Sequence, residues 1–196
     1  RRSSDLGAFP TAYVVGKRHN VDITKEGSGN VGGTNTFRVL GWKAGATVAL
    51  VDVLKALLPT LATKHYLGFE PWQVSLIALA AILGHNWSVF IGFKGGKGIA
   101  CTIGVSLVLF PQALAVALLI AVAVIAATRY VSLGAILLTV YLPILLLLGE
   151  YTPLKSYDRS YILLATALAA LAIYRHRGNI VRLLNGTERK IGDKKK

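Results

Sequence analysis

Four glycines and two lysines are concentrated in the seven-residue segment Gly92-Phe93-Lys94-Gly95-Gly96-Lys97-Gly98. Glycine lets main-chain N–H groups approach an anion closely, and lysine supplies the compensating charge. The segment is not a Walker A loop, because Gly98 follows Lys97 where that loop carries serine or threonine. We expect a phosphate-binding loop here; the alternative is a basic membrane flank whose glycines let helices pack closely.

A second polar segment is rich in small residues, hydroxyls and amides, and it ends on a single arginine. It reads Gly27-Ser28-Gly29-Asn30-Val31-Gly32-Gly33-Thr34-Asn35-Thr36-Phe37-Arg38. Such a loop offers N–H groups and side-chain donors to a phosphate or a polyol. The same residue types also make ordinary turns, so a flexible linker is the alternative.

A third polar segment runs from Tyr174 to Glu188 and is strongly basic. Its His176 and Asn179 are three residues apart, so they share one face of a helix. A cationic end to a last helix is also a common membrane anchor. Ser132 follows Arg129 closely, and we expect it on the same side of the membrane as this segment.

The elements that position these segments are membrane helices. The chain has 196 residues, of which 54% are hydrophobic and 16% charged, whereas soluble domains carry about 25% charged residues. The apolar residues form blocks near the roughly 20 residues that cross a bilayer. We therefore predict an all-α, polytopic membrane protein with one domain, residues 1–196, of which 189–196 form a basic tail. The blocks are Ala44–Thr63, Trp72–Gly92, Ile99–Thr128, Tyr130–Gly149 and Ser160–Tyr174.

The block Ile99–Thr128 is too long for one span, since a helix of that length would reach about 45 Å across a core of about 30 Å. Pro111 predicts its division into two helices near residues 110–112. The division also sorts the charges by the positive-inside rule, which puts most of them on a cytoplasmic face. The cytoplasmic face then holds the basic residues of segments 17–43 and 94–97, Arg129, and the tail from Arg175. The opposite face holds Lys64, Lys155, Arg159, Arg1 and Arg2.

The chain opens at Arg1, and its run Leu6–Gly16 is too short to span a bilayer. We expect a first helix that is truncated or atypical, or that begins before residue 1. The net charge is +13, and the charged residues cluster between the apolar runs and in the tail. The positive-inside rule accounts for this placement, which argues against a nucleic-acid partner. The single Cys101 excludes an internal disulfide, and its apolar and small neighbours indicate a packing role.

Two charged residues, Asp52 and Lys55, stand inside the block Ala44–Thr63. Charges within a membrane are costly and often functional. Their spacing of three residues allows a mutual ion pair, so a structural role and a catalytic one both remain open. His85 lies near the cytoplasmic end of its block, and for it too a structural role and a catalytic one both remain open.

Taken together, the polar segments resemble the acyl-phosphate-dependent glycerol-3-phosphate acyltransferases of bacteria. The resemblance runs from about Gly7 to Glu188, and its motifs agree in order and spacing. Their combination in a membrane protein makes the resemblance specific. The matching residues are Ser28–Gly32 with Thr34, Asn35 and Arg38; Gly92–Gly98; Arg129–Leu133; and His176, Arg177, Asn179 and Ile180.

The resemblance implies a seven-helix enzyme of the bacterial inner membrane with its active site on the cytoplasmic side. It implies transfer of a fatty acyl group from acyl phosphate to the 1-hydroxyl of glycerol 3-phosphate. The products would be lysophosphatidic acid and phosphate, in the first step of phospholipid synthesis. The implied partners are the two substrates and membrane lipid, and the scheme requires no metal or organic cofactor.

Both implied substrates carry phosphate, so we expect two anion sites. Lys97 and the N–H groups of Gly95, Gly96 and Gly98 would bind the acyl phosphate. Arg38 with Ser28 and Thr34 would bind glycerol 3-phosphate, and His176 and Asn179 would complete that pocket. The base is either His176, whose unperturbed pKa is about 6.5, or a substrate phosphate. The candidates are Ser28, Arg38, Lys97, His176 and Asn179 for catalysis, and Asn30, Thr34, Asn35, Lys94, Gly95, Gly96, Gly98 and Ser132 for substrate binding.

Two other functional classes fit part of the sequence. A transporter or channel for a phosphorylated solute explains the spans and the basic loops, but many such folds carry an internal repeat and the sequence shows none. A non-catalytic membrane scaffold leaves the segment Gly92–Gly98 unexplained.

Overall fold

The computed structural model describes residues 2–149 and 157–193, and within these ranges it contains helices and no strand. This agrees with the predicted all-α class. Arg1, Lys155 and Lys194–Lys196, which enter the charge argument and the predicted tail, lie outside the described residues. The chain forms two compact units, Arg1–Val108 and Leu109–Lys196.

Unit 1 is built around two long helices, α4 and α5, which pack against each other. α5 starts at a capping box, in which Glu70 and Gln73 satisfy each other's backbone N–H groups, with Pro71 at the first helical position. The short helices α1 and α3 pack on α5 and α4, respectively. The helices are α1 (Arg2–Ala8), α2 (Thr11–Arg18), α3 (Gly33–Leu40), α4 (Trp42–His65), α5 (Pro71–Asn86) and α6 (Ile99–Leu109), with a short 3₁₀ helix, Val89–Ile91, after α5.

Glycines set the close helix contacts of unit 1. A methyl group on Gly7 would overlap the carbonyl of Ala81, and one on Gly84 would overlap the carbonyl of Ser4, so α1 and α5 touch backbone to backbone. Gly104 of α6 approaches the carbonyl of Val53 on α4 in the same way. Small residues serve this purpose in membrane proteins, where packing replaces the hydrophobic effect between helices.

Unit 2 comprises α7 (Pro111–Thr128), α8 (Val131–Leu148), α9 (Arg159–Arg175) and α10 (Arg177–Leu184). α8 packs against both α7 and α9, around buried leucines. The turn from α7 to α8 is only two residues long and puts Arg129 in a left-handed conformation, with φ of 64°. Asp158 caps the start of α9, and its carboxylate accepts a hydrogen bond from Ser160 N at 2.8 Å. The buried leucines are Leu114, Leu138, Leu142, Leu146, Leu164 and Leu168.

The predicted division of the long apolar block is confirmed, since α6 ends at Leu109 and α7 begins at Pro111. Pro111 occupies the first turn of α7, where its missing N–H costs nothing. α6 has 11 residues, or about 16 Å of helix, so it is too short to span a bilayer by itself.

Four segments in the described ranges are long and apolar enough to cross a membrane: Trp42–His65, Pro71–Ile91, Pro111–Thr128 and Val131–Leu148. They support the prediction of a polytopic membrane protein. The count of seven spans that the resemblance implies is not reached by these criteria.

The amino-terminal segment is atypical, as expected, but it is not one short helix. The run Leu6–Gly16 is broken into α1 and α2 at Phe9 and Pro10. Proline has no N–H to continue the helical ladder and its ring crowds the preceding turn, which explains the break.

Candidate functional site

Asn35, in the polar segment Gly27–Arg38, organises the loop that precedes α3. Its side chain is buried; its Oδ1 accepts a hydrogen bond from Ser28 N at 2.8 Å, and its Nδ2 donates to the carbonyls of Ile23 and Glu26 at 3.3 and 3.0 Å. Gly27 has a φ of 62°, and a side chain there would overlap Asn35 Oδ1. Asn35 is predicted to bind substrate, and in the structure its side-chain amide shapes the loop that carries Ser28.

The other candidates of this segment are more accessible. Ser28 and Thr34 are exposed, whereas Asn30 and Arg38 are half-buried. Thr34 and Arg38 are four residues apart on α3, so they lie on one face of the helix. The start of α3 adds the partial positive charge of a helix amino terminus, which attracts anions. Ser28, Thr34 and Arg38 therefore suit the binding of a phosphate.

The polar segment Gly92–Gly98 is a tight turn over the carboxyl end of α5. Phe93 N donates to the carbonyl of Ser88 at 2.8 Å, and Gly96 N donates to the carbonyl of His85 at 3.1 Å. A side chain on Gly95 would overlap the carbonyls of His85 and Asn86, and one on Gly96 would overlap the imidazole of His85. Both glycines are thus required by the close approach of the turn to α5.

The N–H of Gly96 is predicted to bind the acyl phosphate, but it donates to the carbonyl of His85 within the protein. Gly96 contributes space rather than a donor. Of the two lysines in the segment, Lys94 is exposed and Lys97 is half-buried.

The first two polar segments adjoin each other in unit 1. A methyl group on Gly96 would lie 2.9 Å from the carbonyl oxygen of Val31, which is within contact distance. Val31 also belongs to a buried apolar cluster with Ala12, Ile23 and Val48, against which Ile91 packs. The structure therefore brings the Ser28–Arg38 and Gly92–Gly98 segments together, as the topology argument predicted.

The intramembrane charges of α4 form the ion pair that their spacing allows. Lys55 Nζ lies 2.8 Å from Asp52 Oδ1, and both side chains are more than nine-tenths buried. Asp52 also accepts a hydrogen bond from Thr11 Oγ1 at 3.0 Å, and Lys55 donates to the carbonyl of Phe9 at 3.0 Å. Cys101 is buried against the same helix, and its Sγ lies 3.2 Å from the carbonyl of Asp52, in line with a packing role.

The third polar segment lies in unit 2, and a carboxylate organises it. Glu188 Oε1 accepts hydrogen bonds from Ser132 Oγ at 2.8 Å and from Asn179 Nδ2 at 2.6 Å. Its Oε2 accepts one from Arg182 Nε at 2.7 Å. The structure thus brings the predicted residues Ser132 and Asn179 together through a residue that was not predicted.

Glu188 could have been noticed in the sequence, because it is the only acidic residue between Arg175 and Lys190. Burial raises the pKa of this carboxyl, but hydrogen bonds from Asn179, Ser132 and Arg182 outweigh burial and hold it below its ordinary value. Glu188 is therefore ionised at neutral pH and acts only as an acceptor.

His176 stands at the junction of α9 and α10 and is buried. Its Nδ1 lies 2.8 Å from the carbonyl of Ala172. A carbonyl only accepts, so Nδ1 carries a hydrogen and the neutral ring has its lone pair on Nε2. Arg177 points elsewhere, since it stacks on Tyr174 with 4.6 Å between the guanidinium carbon and the ring centroid.

Within the described residues, no three His, Cys, Asp or Glu side chains come together in a way that could hold a metal ion. The predicted chemistry rests instead on cationic side chains, hydroxyls and backbone N–H groups.

Comparison with known proteins identifies the family. The family model described as glycerol-3-phosphate acyltransferase matches residues 5–186. The chain belongs to the glycerol-3-phosphate acyltransferase family. The match covers the segments Ser28–Arg38 and Gly92–Gly98, Ser132 and the pair His176 and Asn179, and it stops two residues before Glu188.

Relatives within this family cover nearly the whole chain. The glycerol-3-phosphate acyltransferase of Halalkalibacterium halodurans is 43% identical over 192 residues, which are 97% of this chain and 92% of that protein. Glycerol-3-phosphate acyltransferase 2 of Moorella thermoacetica is 46% identical over 190 residues, with coverage of 96% and 94%.

Solved structures agree with this assignment. The crystal structure of PlsY (YgiH), an integral membrane glycerol 3-phosphate acyltransferase, in its glycerol 3-phosphate form matches with a TM-score of 0.91 and 37% identity. The match covers 97% of this chain and 92% of PlsY. Its lysophosphatidic acid form matches with a TM-score of 0.87. The chain is therefore an acyltransferase with the fold of an integral membrane protein.

Proposed function

We propose that this protein transfers a fatty acyl group from an acyl phosphate to the 1-hydroxyl of glycerol 3-phosphate, releasing 1-acyl-glycerol 3-phosphate and inorganic phosphate. The observation that carries the proposal is the contact between Val31 and Gly96. It joins two segments, each suited to a phosphate, in a family whose solved member has a glycerol 3-phosphate form. A reaction between two phosphorylated substrates needs such a pair of sites.

The turn at Gly92–Gly98 is assigned to the acyl phosphate. Lys97 neutralises its charge, with Lys94 at the exposed edge. Gly95 and Gly96 let the turn lie close to α5, and Gly98, with φ of 81°, leads into the amino terminus of α6. That helix end favours an anion. The apolar spans around the turn suit an acyl chain that lies in the bilayer.

The segment before and within α3 is assigned to glycerol 3-phosphate. Arg38 supplies a guanidinium whose planar donors match a phosphate, and Ser28, Asn30 and Thr34 supply smaller polar groups. In unit 2, Ser132, His176 and Asn179 remain predicted site residues. Each is tested through the KM for glycerol 3-phosphate.

The chemistry needs little more than alignment and charge stabilisation. An acyl phosphate is a mixed anhydride and is already activated. The glycerol oxygen forms a bond to the acyl carbon, the bond from that carbon to the phosphate oxygen breaks, and the hydroxyl proton leaves to a base. Proximity and stabilisation of the developing oxyanion account for most of such rate enhancements. The base is either the departing phosphate or His176.

The protein is proposed to work in the bacterial inner membrane as a multi-pass protein, with these segments on the cytoplasmic side. The basic residues of 17–43 and 94–97 support this orientation by the positive-inside rule.

The test is an assay of the purified protein in detergent with acyl phosphate and glycerol 3-phosphate. We expect both lysophosphatidic acid and inorganic phosphate, formed in equal amounts. Transport of a solute needs a sealed vesicle and acyl transfer does not, so product formed in detergent excludes a mere transporter. The proposal would be overturned if folded protein transferred no acyl group at any concentration of either substrate.

A further inference from the structure

The buried group Thr11, Asp52, Lys55 and His85 has no role in the reaction as proposed. It joins three helices, because Thr11 belongs to α2, Asp52 and Lys55 to α4, and His85 to α5. Asp52 Oδ1 is its centre, with Thr11 Oγ1 at 3.0 Å, Lys55 Nζ at 2.8 Å and His85 Nδ1 at 3.8 Å. Burying several charged and polar groups is costly unless they satisfy one another.

His85 links this group to the phosphate-binding turn in two ways. Its carbonyl accepts the hydrogen bond from Gly96 N at 3.1 Å. Its ring lies so close to Gly96 that a methyl group there would overlap both Nε2 and Cε1. Gly96 therefore rests on the imidazole, and the position of the ring sets the position of the turn.

The group itself is out of reach of a substrate. A cavity of about 10 Å³ lies among Thr11, Asp52, His85, Ser88 and Gly96, which is room for one water molecule and far less than a phosphate needs. His85 is 7% exposed and Asp52 2%. His85 can therefore act on the reaction through the turn, which its carbonyl and ring contact.

We propose that His85, oriented by the Asp52–Lys55 ion pair, is a positioning residue that holds the Gly95–Gly96 turn in the shape that binds acyl phosphate. The inference rests on the proposed function, because it assigns this turn to the acyl phosphate. It predicts a larger effect on acyl phosphate than on glycerol 3-phosphate, since the carbonyl and the ring of His85 bear directly on Gly96 of the turn.

The experiment compares His85→Ala and His85→Gln with the wild type and with the control Ser75→Ala. Ser75 is buried on the same helix, ten residues away, or about 15 Å along its axis. For both His85 variants we expect the KM for acyl phosphate to rise about tenfold, the order of one lost hydrogen bond or packing contact. The KM for glycerol 3-phosphate should stay within about twofold, and Ser75→Ala should leave both constants unchanged.

Equilibrium binding of a non-hydrolysable acyl phosphonate, measured by calorimetry in detergent, gives the same comparison without turnover. We expect weaker binding by both His85 variants and unchanged binding by Ser75→Ala. If His85→Ala does not fold, His85→Gln, which keeps a polar side chain of similar reach, carries the test. If His85→Gln binds the phosphonate more tightly than His85→Ala does, that result would support the same positioning role.

The inference is overturned if folded His85 variants keep the wild-type KM and phosphonate affinity, or if both KM values rise together. If neither His85 variant folds, the ring has a general structural role and the inference is also overturned. Failure of the proposed function looks different, because then the wild-type protein itself forms no lysophosphatidic acid.

Discussion

The side-chain amide of Asn179 donates a hydrogen bond of 2.6 Å to the carboxylate of Glu188. The hydroxyl of Ser132 donates to the same oxygen at 2.8 Å. One carboxylate thus ties the start of α8 to α10. The two candidate site residues are held in place from the carboxyl-terminal side of the chain.

Replacing Glu188 should loosen this junction. We expect Glu188→Gln to lower the free energy of unfolding by about 1–3 kcal/mol, because a neutral amide loses the charge-assisted hydrogen bonds and turns an N–H group toward donors. Urea or thermal unfolding in detergent measures the change. The control is Glu26→Gln, at an exposed position, and an equal effect in the control would argue against a special role for Glu188.

The same carboxylate should give the protein an acid-sensitive contribution to stability. The pKa of Glu188 is lower in the folded protein than the ordinary value of 4.5. Its stabilisation is therefore complete above about pH 4.5 and is lost as the pH falls through the folded pKa. The difference between wild type and Glu188→Gln should shrink between about pH 5 and pH 3. A difference that stays constant over that range would contradict the shift.

Gly96→Ala should weaken the use of acyl phosphate. The added methyl group overlaps the imidazole of His85 and lies 2.9 Å from the carbonyl of Val31, so the turn must move. We expect a higher KM for acyl phosphate in steady-state assays. Gly178→Ala is a matched control, because its methyl group meets only Arg182 Nη1, at 3.5 Å. An unchanged KM in Gly96→Ala would show that the turn tolerates the shift.

Lys97→Ala should reduce kcat by about 100-fold, the order seen when one group that stabilises developing charge is removed. The assay is turnover of the purified protein at saturating concentrations of both substrates. Lys43→Ala removes an exposed lysine of the same unit and should leave turnover within about twofold. Near-normal turnover by Lys97→Ala would remove this lysine from the mechanism.

The ion pair within α4 should show strong coupling. Asp52→Asn leaves Lys55 as a buried, unpaired charge, and loss of one partner of a buried pair costs about 3–5 kcal/mol. The double variant Asp52→Asn with Lys55→Gln has no such charge and should recover part of that loss. Unfolding of the single and double variants in detergent measures the coupling. Additive effects would mean that the pair contributes no mutual stabilisation.

The break at Pro111 was predictable from sequence because it depends on covalent chemistry. Proline has no N–H wherever it stands, and a block of 30 residues exceeds a bilayer whatever its neighbours are. The ion pair between Asp52 and Lys55 followed in the same way from a spacing of three residues on a helix.

The roles of Asn35 and Gly96 were not predictable, because an amide or an N–H serves a ligand and its own backbone equally well. The side-chain amide of Asn35 makes three hydrogen bonds to the loop. The N–H of Gly96 donates to the carbonyl of His85. Both outcomes depend on contacts between residues that are distant in the chain. Glu188 was missed for the same reason, since its three donors come from two helices and only its charge made it unusual.

The interruption between α1 and α2 leaves the carbonyls of Ala8 and Phe9 without helical partners, and Ser88 and Lys55 donate to them. Lys55 therefore has a second acceptor beside Asp52, because Pro10 stops the first helix. A continuous amino-terminal helix would remove this second acceptor and leave Lys55 with Asp52 alone. A single proline in the amino-terminal segment thus contributes to the solvation of a charge that another helix carries.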